Sequence, residues 1–348
     1  MKKAGIIGHF GFGHNLLNGQ TIKTKIITEE IVVQFGPENV MLLDLAGGIK
    51  RIPSLLIAVP KVLCKCENFI MMPVENGLRF LTPLLCFWNL FFKRKLHYVV
   101  IGGWLPRFLA QQKQIQKGLK KFDGIYVETN TMKKALEAQG FRNVFVMPNC
   151  KKLTVLSKEE LVYPSDAPYK LCTFSRVMKE KGIETAIKVI ERVNQKCGYT
   201  AYALDIYGQV WEDSKDWFEK LQGEFPEYVR YCGCVDADQS VQVLKGYFAL
   251  LFPTHFYTEG IPGTIIDAYA AGLPVISAKW ESFADVIDEG ITGFGYDFDD
   301  EKRFEDILFR VAQTPKMLLD MKEVCVRKAK DYIPQAAVQI LIHQTEDG

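Results

Sequence analysis

The sequence contains no apolar run long enough to cross a membrane. A membrane-spanning helix needs about 18 consecutive apolar residues, and no uninterrupted apolar stretch in the 348 residues approaches that length. The N-terminal segment MKKAGIIGHF enters a strand-like run without a cleavage signal. We therefore expect a soluble, cytoplasmic protein, and its 48% of apolar residues are enough to build sizeable cores.

Patterns typical of a disulfide framework or a metal site are also missing. The nine cysteines are odd in number and include no CxxC pair, which favours reduced, buried thiols. Two DxD pairs have the spacing of metal-dependent nucleotide-sugar enzymes, but Asp236 and Asp238 are placed to cap the next helix, and Asp297 and Asp299 lie in an acidic loop. We expect no bound metal.

The dinucleotide fingerprint GxGxxG is absent from the first strand–loop–helix unit. The loop has the pattern GxxGxG over Gly8–Gly13, so a nicotinamide or flavin site is only weakly supported. We expect its glycines, with Gly11 and Gly19 as candidates, to let the loop approach an acceptor. His9 and His14 flank this loop, and a strand-end histidine such as His9 is alternatively only a hydrogen-bonded core residue.

Charge is distributed unevenly along a chain whose net charge is only +2. Residues 1–165 hold 23 Lys and Arg against 11 Asp and Glu, or +12, and the remainder holds 20 against 30, or −10. A basic half suggests an anionic partner or surface, and the alternative is simply a solvated basic face. Nothing in the sequence points to nucleic acid.

Strand-like and helix-like segments alternate along the chain, which predicts an α/β protein with doubly wound parallel sheets. A proline-bearing, non-periodic stretch over 148–168 marks a domain boundary. We expect an N-terminal domain over 1–160 and a C-terminal domain over 161–330. A final helix over 331–348 should cross back to the N-terminal domain.

Two segments of the N-terminal half have open interpretations. The run Pro83–Lys95 is aromatic and then sharply basic, so it either lies against a membrane surface or forms a helix buried on the sheet. The segment Gly102-Gly103-Trp104 follows a strand predicted over 98–101. Since open α/β sheets bind ligands at the carboxyl ends of their strands, Gly103 and Trp104 are candidate acceptor contacts.

Two cations follow the first strand of the C-terminal half. Arg176 comes directly after that strand, and Lys181 is predicted in the first turn of the next helix. Because a lysine there opposes the helix dipole, a bound anion would reverse the cost, and the two cations could hold a diphosphate. The alternative is a surface lysine paired with Glu180 or Glu184.

The stretch 250–277 places two carboxylates, Glu259 and Asp267, eight residues apart around a turn that opens a helix. A strand, a glycine-bearing loop and a helix N-terminus in this order leave backbone N–H groups for a phosphate. Pro262 has no N–H to donate, so these contacts must start at Gly263 and Thr264.

Together these segments resemble the family-4 retaining glycosyltransferases of the GT-B fold. The resemblance rests on Ser175-Arg176-x4-Lys181-Gly182 and Glu259-Gly-Ile-Pro-Gly-x3-Asp267-Ala-x-Ala-x-Gly272-Leu-Pro-Val275. It covers essentially the whole chain, and the carboxy-terminal half is its specific part. It implies two Rossmann-like domains facing across a cleft.

The resemblance also implies a role for each motif residue. Glu259 would contact the transferred sugar and Asp267 the nucleotide ribose, while Arg176 and Lys181 would hold the diphosphate. The further donor-binding residues would be Gly208, Ile261, Gly263 and Thr264.

The chain departs from the family pattern at two places. The second acid is usually glutamate, and Asp267 is one methylene shorter; alternatively, Thr264 and Asp267 form a capping box. Many relatives have a histidine where this chain has Gly102-Gly103-Trp104.

The expected function is metal-independent, retaining transfer of a hexose from a UDP or GDP sugar, with no cofactor. The acceptor would be a glycan or a polyprenyl-diphosphate-linked glycan in bacterial surface polysaccharide synthesis. Peripheral contact with the inner face of the cytoplasmic membrane through the basic half is a second expectation. The alternatives are a GT-B epimerase or phosphorylase, and a non-catalytic nucleotide-binding subunit of a polysaccharide assembly complex.

Overall fold

Strands and helices alternate in the computed structural model, which describes residues 1–13, 19–47 and 52–346. The chain divides into two compact units. The first comprises 1–152 and 331–348, and the second comprises 153–330. The sequence placed this boundary at 160. His14, a candidate from the sequence, lies outside the described residues.

The first unit is built on a six-stranded parallel sheet with the strand order β2-β1-β3-β4-β5-β6. The strands are β1 Lys2–Gly8, β2 Val40–Asp44, β3 Cys66–Met71, β4 Lys95–Val99, β5 Gly124–Val127 and β6 Val144–Val146. The helices are α1 Gly19–Phe35, α2 Ile52–Lys65, α3 Glu75–Phe92, α4 Leu105–Ala110, α5 Lys113–Leu119 and α6 Asn130–Ala138.

The second unit repeats this architecture with the order β12-β11-β10-β7-β8-β9, again parallel throughout. Its strands are β7 Tyr169–Phe174, β8 Tyr202–Tyr207, β9 Val229–Gly233, β10 Ala249–Phe252, β11 Val275–Ala278 and β12 Gly293–Tyr296. Its helices are α7 Ile183–Cys197, α8 Lys215–Gly223, α9 Ser240–Leu244, α10 Gly263–Ala270, α11 Phe283–Val286, α12 Glu301–Gln313, α13 Lys316–Leu319 and α14 Lys322–Ala329. The predicted pair of doubly wound parallel sheets is confirmed.

The last two helices, α15 Pro334–Ala337 and α16 Gln339–Glu346, lie with the first unit. Val338 and Leu341 pack in the same apolar cluster as Ile27 and Ile31 of α1. The segment that completes the core of the first unit therefore follows the whole second unit along the chain.

The buried strands carry apolar side chains on both faces of each sheet. In β1, Ile6 packs on the side of α1, and Ile7 packs on the side of α2 and α3. Successive side chains of a strand point to opposite faces, so a strand with helices on both sides is apolar at consecutive positions.

The fourth strand lies earlier than predicted, at Lys95–Val99 rather than 98–101. Lys93 adopts a left-handed conformation, with φ of 52°, and ends α3. Extended backbone therefore begins directly after the aromatic run, where sequence reasoning continued the loop. The segment 316–329 forms two short helices, α13 and α14.

The aromatic run forms most of the second half of α3, a helix that packs on the sheet by one face. Leu78, Leu81 and Leu85 of α3 are buried in the core of the first unit. Phe87, Leu90 and Phe91 are 54%, 67% and 68% exposed. None of the helices in the described ranges is long and apolar enough to cross a membrane.

Candidate functional site

The site predicted in the second unit lies at the point where its strand order reverses. Strands β7 and β10 are neighbours, yet their following helices lead to opposite sides of the sheet. In doubly wound sheets, such a switch point is where ligands bind, outside the carboxyl ends of the strands. Arg176 follows β7, and Glu259 lies in the loop after β10.

A close backbone approach brings these two strand ends together. Lys179–Lys181 forms a 3₁₀ turn, and Gly182 follows with a φ of 67° before α7 begins at Ile183. A Cβ on Gly182 would lie 1.9 Å from the carbonyl oxygen of Pro253. Lys181 thus precedes the helix, and its predicted position in the first helical turn is wrong.

Lys181 and Glu259 form a mostly buried ion pair in this crevice. The Nζ–Oε1 distance is 2.5 Å, and the side chains are 10% and 20% exposed. The Thr254 hydroxyl donates to the same carboxylate oxygen at 3.3 Å. The alternative of a surface lysine paired with Glu180 or Glu184 is wrong.

Aromatic rings surround the ammonium group of Lys181. Its Nζ lies 4.9 Å from the ring centroid of Phe256 and 5.3 Å from that of Phe252. Ring faces attract a cation, and the effect grows as water is excluded. Lys181 is therefore held in one place before any ligand arrives.

Arg176 is exposed and stacks on Trp211, a residue that the sequence analysis missed. The Arg176 Cζ lies 4.9 Å from the Trp211 ring centroid, and the Trp211 amide donates to the Val177 carbonyl at 3.0 Å. Trp211 lies three residues after Gly208, so its position in the loop after a strand was the available signal.

Gly208 permits the approach of the β8 loop to the β7 turn. Its φ is 134°, and an added Cβ would meet the Ser175 carbonyl oxygen at 1.8 Å. Any side chain at Gly208 would therefore separate the two loops, and the donor-binding role of Gly208 stays a prediction.

Pro262 is the N-cap residue of α10, and its side chain makes no capping hydrogen bond. The Ile265 amide donates to the Pro262 carbonyl at 3.0 Å, so it is not available to a ligand. The Thr264 hydroxyl oxygen is buried and has no hydrogen-bond partner within the described ranges. Gly263 and Thr264, both half-buried, remain the predicted phosphate contacts.

The capping-box interpretation of Asp267 is wrong. Pro262, not Thr264, is the N-cap residue. Asp267 is 3% exposed and accepts a hydrogen bond from the Ser240 hydroxyl at 3.1 Å. Its partner Ser240, on α9, was missed because no local pattern joins residues 27 positions apart.

The loop after β10 is fixed by contacts outside the motif. The indole of Trp280 donates to the Gly260 carbonyl at 3.2 Å, and the His255 amide donates to the Glu180 carbonyl at 2.8 Å. The candidate Ile261 is 5% exposed, so its side chain supports the loop from below.

The first DxD segment does not cap the next helix as the sequence suggested. The N-cap of α9 is Gln239, with no side-chain cap, so the predicted capping by Asp236 or Asp238 is wrong. The Asp297 carboxylate lies 3.7 Å from the Lys279 ammonium. Within 1–13, 19–47 and 52–346, no three His, Cys, Asp or Glu side chains cluster as metal ligands.

The candidates of the first unit lie at the carboxyl ends of its strands. The His9 Nδ1 is 2.8 Å from the Thr21 hydroxyl, and Gly19 begins α1. Gly103 is buried, and the Trp104 indole donates to the Ile101 carbonyl at 2.8 Å.

Asp44 organises the first glycine-rich loop. Its carboxylate accepts hydrogen bonds from the amides of Phe10, Gly11, Phe12 and Ala46 at 2.9–3.2 Å. Partial burial opposes ionisation, but these four donors outweigh it and lower the pKa of Asp44. Asp44 is the last residue of β2 and belongs to none of the sequence motifs.

A buried ion pair supports the second candidate loop. Lys23 of α1 and Glu128, each 3% exposed, lie 2.6 Å apart. Lys23 also donates to the Val100 carbonyl, and Glu128 accepts from the Gly102 amide at 2.9 Å. The Gly102-Gly103-Trp104 turn is therefore fixed to α1 and β5.

The second unit coincides with a known sequence family. Residues 168–313 match the family model described as Glycosyl transferases group 1. All four motif side chains, Arg176, Lys181, Glu259 and Asp267, lie inside the matched range.

Individual proteins agree with this match. The amylovoran biosynthesis glycosyltransferase AmsK of Erwinia amylovora is 24% identical over 150 residues, which are 42% of this chain and 36% of that protein. The chain spans about a third of the length of the curated relatives it matches.

Solved structures extend the likeness to the whole fold. Anabaena HepE, solved with UDP and glucose, has a TM-score of 0.74 at 12% identity, with 100% of both chains covered. The lipopolysaccharide outer core galactosyltransferase WaaB has a TM-score of 0.73 at 16% identity, covering 100% of this chain and 99% of that one. The fold is GT-B.

Proposed function

We propose that this protein is a retaining, family-4 glycosyltransferase that moves a hexose from a nucleoside-diphosphate sugar to a glycan or lipid-linked acceptor. The observation that carries the proposal is the Lys181–Glu259 pair at the switch point between β7 and β10. It lies within the range matched by the group 1 model. The Lys181 ammonium suits the diphosphate of such a donor, and the Glu259 carboxylate suits its sugar.

The cations would stabilise the leaving group of the donor. Breaking a sugar–diphosphate bond places negative charge on the departing nucleoside diphosphate, and fixed positive groups stabilise that charge. Arg176, Lys181 and the amides of Gly263 and Thr264 would supply them without a metal or another cofactor. Trp211 would hold Arg176 at the edge of the site.

The carboxylates serve the sugar and the ribose. Glu259 would accept hydrogen bonds from hydroxyls of the transferred hexose once the diphosphate engages Lys181. Asp267 would contact the ribose together with Ser240, since the two already share a hydrogen bond. The shorter aspartate is thereby compensated by a hydroxyl from α9.

Retention follows in this proposal from attack on the leaving-group face. The acceptor hydroxyl would approach beside the departing diphosphate, and a phosphate oxygen would take its proton. Glu259 is not assigned as a nucleophile, because its Oε1 is already bonded to Lys181 and Thr254. The acceptor would meet the first unit near Gly11, His9 and Trp104.

The comparisons suggest a setting and a first donor to test. AmsK is named for amylovoran biosynthesis, and HepE was solved with UDP-glucose. We propose a role in bacterial surface polysaccharide synthesis, in the cytoplasm, with UDP sugars ahead of GDP sugars. A thermal-shift screen of UDP, GDP and ADP sugars tests the base, because a ligand that binds only the folded state raises its stability.

Two substitutions test the assigned roles. Lys181→Ala should weaken nucleoside diphosphate binding by roughly 10- to 100-fold, since a charge-assisted hydrogen bond contributes about 1.5–3 kcal/mol. Glu259→Ala should lower turnover by roughly 100-fold or more without weakening that binding. Calorimetry and a transfer assay measure the two effects.

Lys188→Ala is the matched control, because this exposed lysine pairs with Glu184 on α7, outside the crevice. It should leave binding and transfer unchanged. Near-wild-type transfer in both site variants would contradict the assignment. Donor hydrolysis or epimerisation without an acceptor would instead indicate another GT-B chemistry.

A further inference from the structure

A cavity in the second unit lies outside the predicted donor crevice. It has a volume of about 380 Å³, a size at which proteins commonly hold small molecules. Its walls come from the carboxyl ends of β10, β11 and β12, the first turn of α7 and the start of α12. Within the described part of the chain, none of the predicted donor residues is among those that line it.

Thr254 separates this cavity from the crevice. It lines the cavity, and its hydroxyl donates to the Glu259 carboxylate in the crevice. Pro253, which also lines the cavity, presents its carbonyl oxygen to Gly182. The cavity therefore lies beside the loop that carries Glu259, with its own set of polar groups.

A buried hydroxyl in the cavity wall has no hydrogen-bond partner. Tyr296, at the end of β12, lines the cavity and is 4% exposed, and its hydroxyl oxygen is buried and unpaired within the described ranges. Phe304 stacks on its ring at 4.4 Å and fixes its position. Because native proteins rarely keep an unpaired buried hydroxyl without a ligand or a water to bond it, this group points to an occupant.

Three carboxylates line the same cavity, and two of them already have partners. Asp300 caps α12, and Glu301 lies 2.8 Å from Arg192. Asp299 is 89% exposed, and its carboxylate lies 3.9 Å from the His255 ring nitrogen. The Asp299 carboxylate can therefore accept hydrogen bonds from a ligand.

Two classes of ligand do not fit this lining. An anion would meet three carboxylates, and the lysine at the cavity, Lys302, is engaged by Glu305 and Asp306 at 3.1 Å. A metal ion would need several ligands, and no three His, Cys, Asp or Glu side chains cluster for that purpose among the described residues.

A sugar ring fits the lining. Each of its hydroxyls both donates and accepts hydrogen bonds, so it can serve the Asp299 carboxylate and the Tyr296 hydroxyl together. Thr185 adds another hydroxyl, and the half-buried ring of Phe298 offers an apolar face to the C–H side of a sugar. Such a mixture of a few polar groups and an aromatic ring is typical of small-molecule sites.

We infer that this cavity binds a neutral pyranose ring, either as a free sugar or as one unit of a glycan chain. The inference does not rest on the proposed transfer, because the residues that carry it are separate from Lys181 and Glu259. Loss of one function would leave the other measurable.

Saturation-transfer NMR titrations with glucose, galactose and N-acetylglucosamine test the inference on the full chain without nucleotide. The wild type should bind at least one of these sugars with roughly millimolar affinity, as expected for a ligand of this size. Tyr296→Phe should weaken that binding about 2- to 10-fold, because it removes one hydrogen bond. The same variant should not lower the melting temperature, because the hydroxyl has no partner in the described protein.

Asp299→Asn should weaken sugar binding about 3- to 10-fold, since a charged acceptor is replaced by a neutral one. Asp299 has a φ of 63°, and asparagine adopts this left-handed conformation as aspartate does. Asp297→Asn is the matched control, because its carboxylate lies in the same loop but pairs with Lys279 outside the cavity. It should bind the sugar as the wild type does.

Glu259→Ala distinguishes the cavity from the donor crevice. Without a diphosphate, Glu259 stays paired with Lys181, so this variant should keep the wild-type affinity for the free sugar. If the proposed transfer itself fails, UDP-sugar turnover will be absent while sugar binding remains.

Maltotetraose and cellotetraose separate the two sources of the sugar. A site for a glycan chain should bind one of them more tightly than the single sugar, because neighbouring units add contacts. A site for a free sugar should bind neither of them more tightly.

Three results would overturn the inference. The folded wild type would bind none of the three sugars. Alternatively, binding would be lost in Glu259→Ala and retained in Tyr296→Phe and Asp299→Asn, which would place the sugar in the donor crevice. Spermidine binding that Asp299→Asn abolishes, without any sugar binding, would assign the cavity to an organic cation.

Discussion

Trp211 is the residue whose role the sequence conceals most completely. No motif includes it, and it is 41% exposed, which in a sequence reads as an ordinary surface aromatic. Its ring nevertheless supports the Arg176 guanidinium. A planar cation on an aromatic face keeps its hydrogen-bonding edge directed outwards, so Trp211 is a positioning residue for the proposed diphosphate contact.

Trp211→Ala should weaken binding of the preferred nucleoside diphosphate by about 2- to 5-fold, because an exposed cation–π contact contributes about 0.5–1 kcal/mol. Trp211→Phe should retain most of the affinity. Calorimetry measures both variants, and the melting temperature should stay unchanged because the ring is exposed. Wild-type affinity in Trp211→Ala would show that Arg176 needs no support.

At the scale of the element, the turn between β7 and α7 determines how closely two strand ends approach. A left-handed residue is needed between the 3₁₀ turn and the helix, and the same residue must tolerate the Pro253 carbonyl. Only glycine meets both conditions. The turn therefore fixes the distance between the strand ends that carry Lys181 and Glu259.

Gly182→Ala should lower the stability of the second unit by more than about 2 kcal/mol, since backbone strain and a steric clash add. It should also weaken nucleotide binding by displacing Lys181. Gly198→Ala is the matched control: its φ is 75°, but nothing lies within 4 Å of an added Cβ. Urea unfolding of both variants separates the two costs, because backbone strain is present in both and the steric clash only in Gly182→Ala.

Local chemistry explains which elements could be predicted. Ile183, Ala186, Ile187 and Ile190 repeat at helical spacing, so α7 could be placed from the sequence. Strand β4 was misplaced because Lys93, a residue without glycine's freedom, ends α3 in a left-handed conformation. Sequence pattern carries no signal for such an exception.

The same distinction applies to the candidate site, where the motif residues could be predicted from the sequence and their partners could not. Arg176, Lys181, Glu259 and Asp267 were found because a family motif contains them. Their partners were not, since a contact such as Lys181 with Glu259 joins residues 78 positions apart. Tertiary structure alone decides which polar groups meet.

At the scale of the whole molecule, the end of the chain stabilises its beginning. Leu341 is fully buried and packs in the cluster that contains Ile27 and Ile31. The first unit is consequently incomplete until the entire second unit has been synthesised.

Leu341→Ala should destabilise the first unit by about 3 kcal/mol, the usual cost of a buried leucine. Hydrogen exchange should accelerate in α1 and remain unchanged in α12. Leu318→Ala, also fully buried but in the second unit, should give the reverse pattern. Uniform acceleration in both variants would mean that the units unfold as one.

The Lys181–Glu259 pair has a consequence for which ligand the site prefers. A phosphate that takes Lys181 releases Glu259 as an unpaired, mostly buried carboxylate, which is costly. An intact donor offsets that cost because its hexose hydroxyls bond the released acid, whereas the spent nucleotide brings no hydroxyls there. The re-formed pair would then help to expel the product and keep inorganic phosphate from occupying the site.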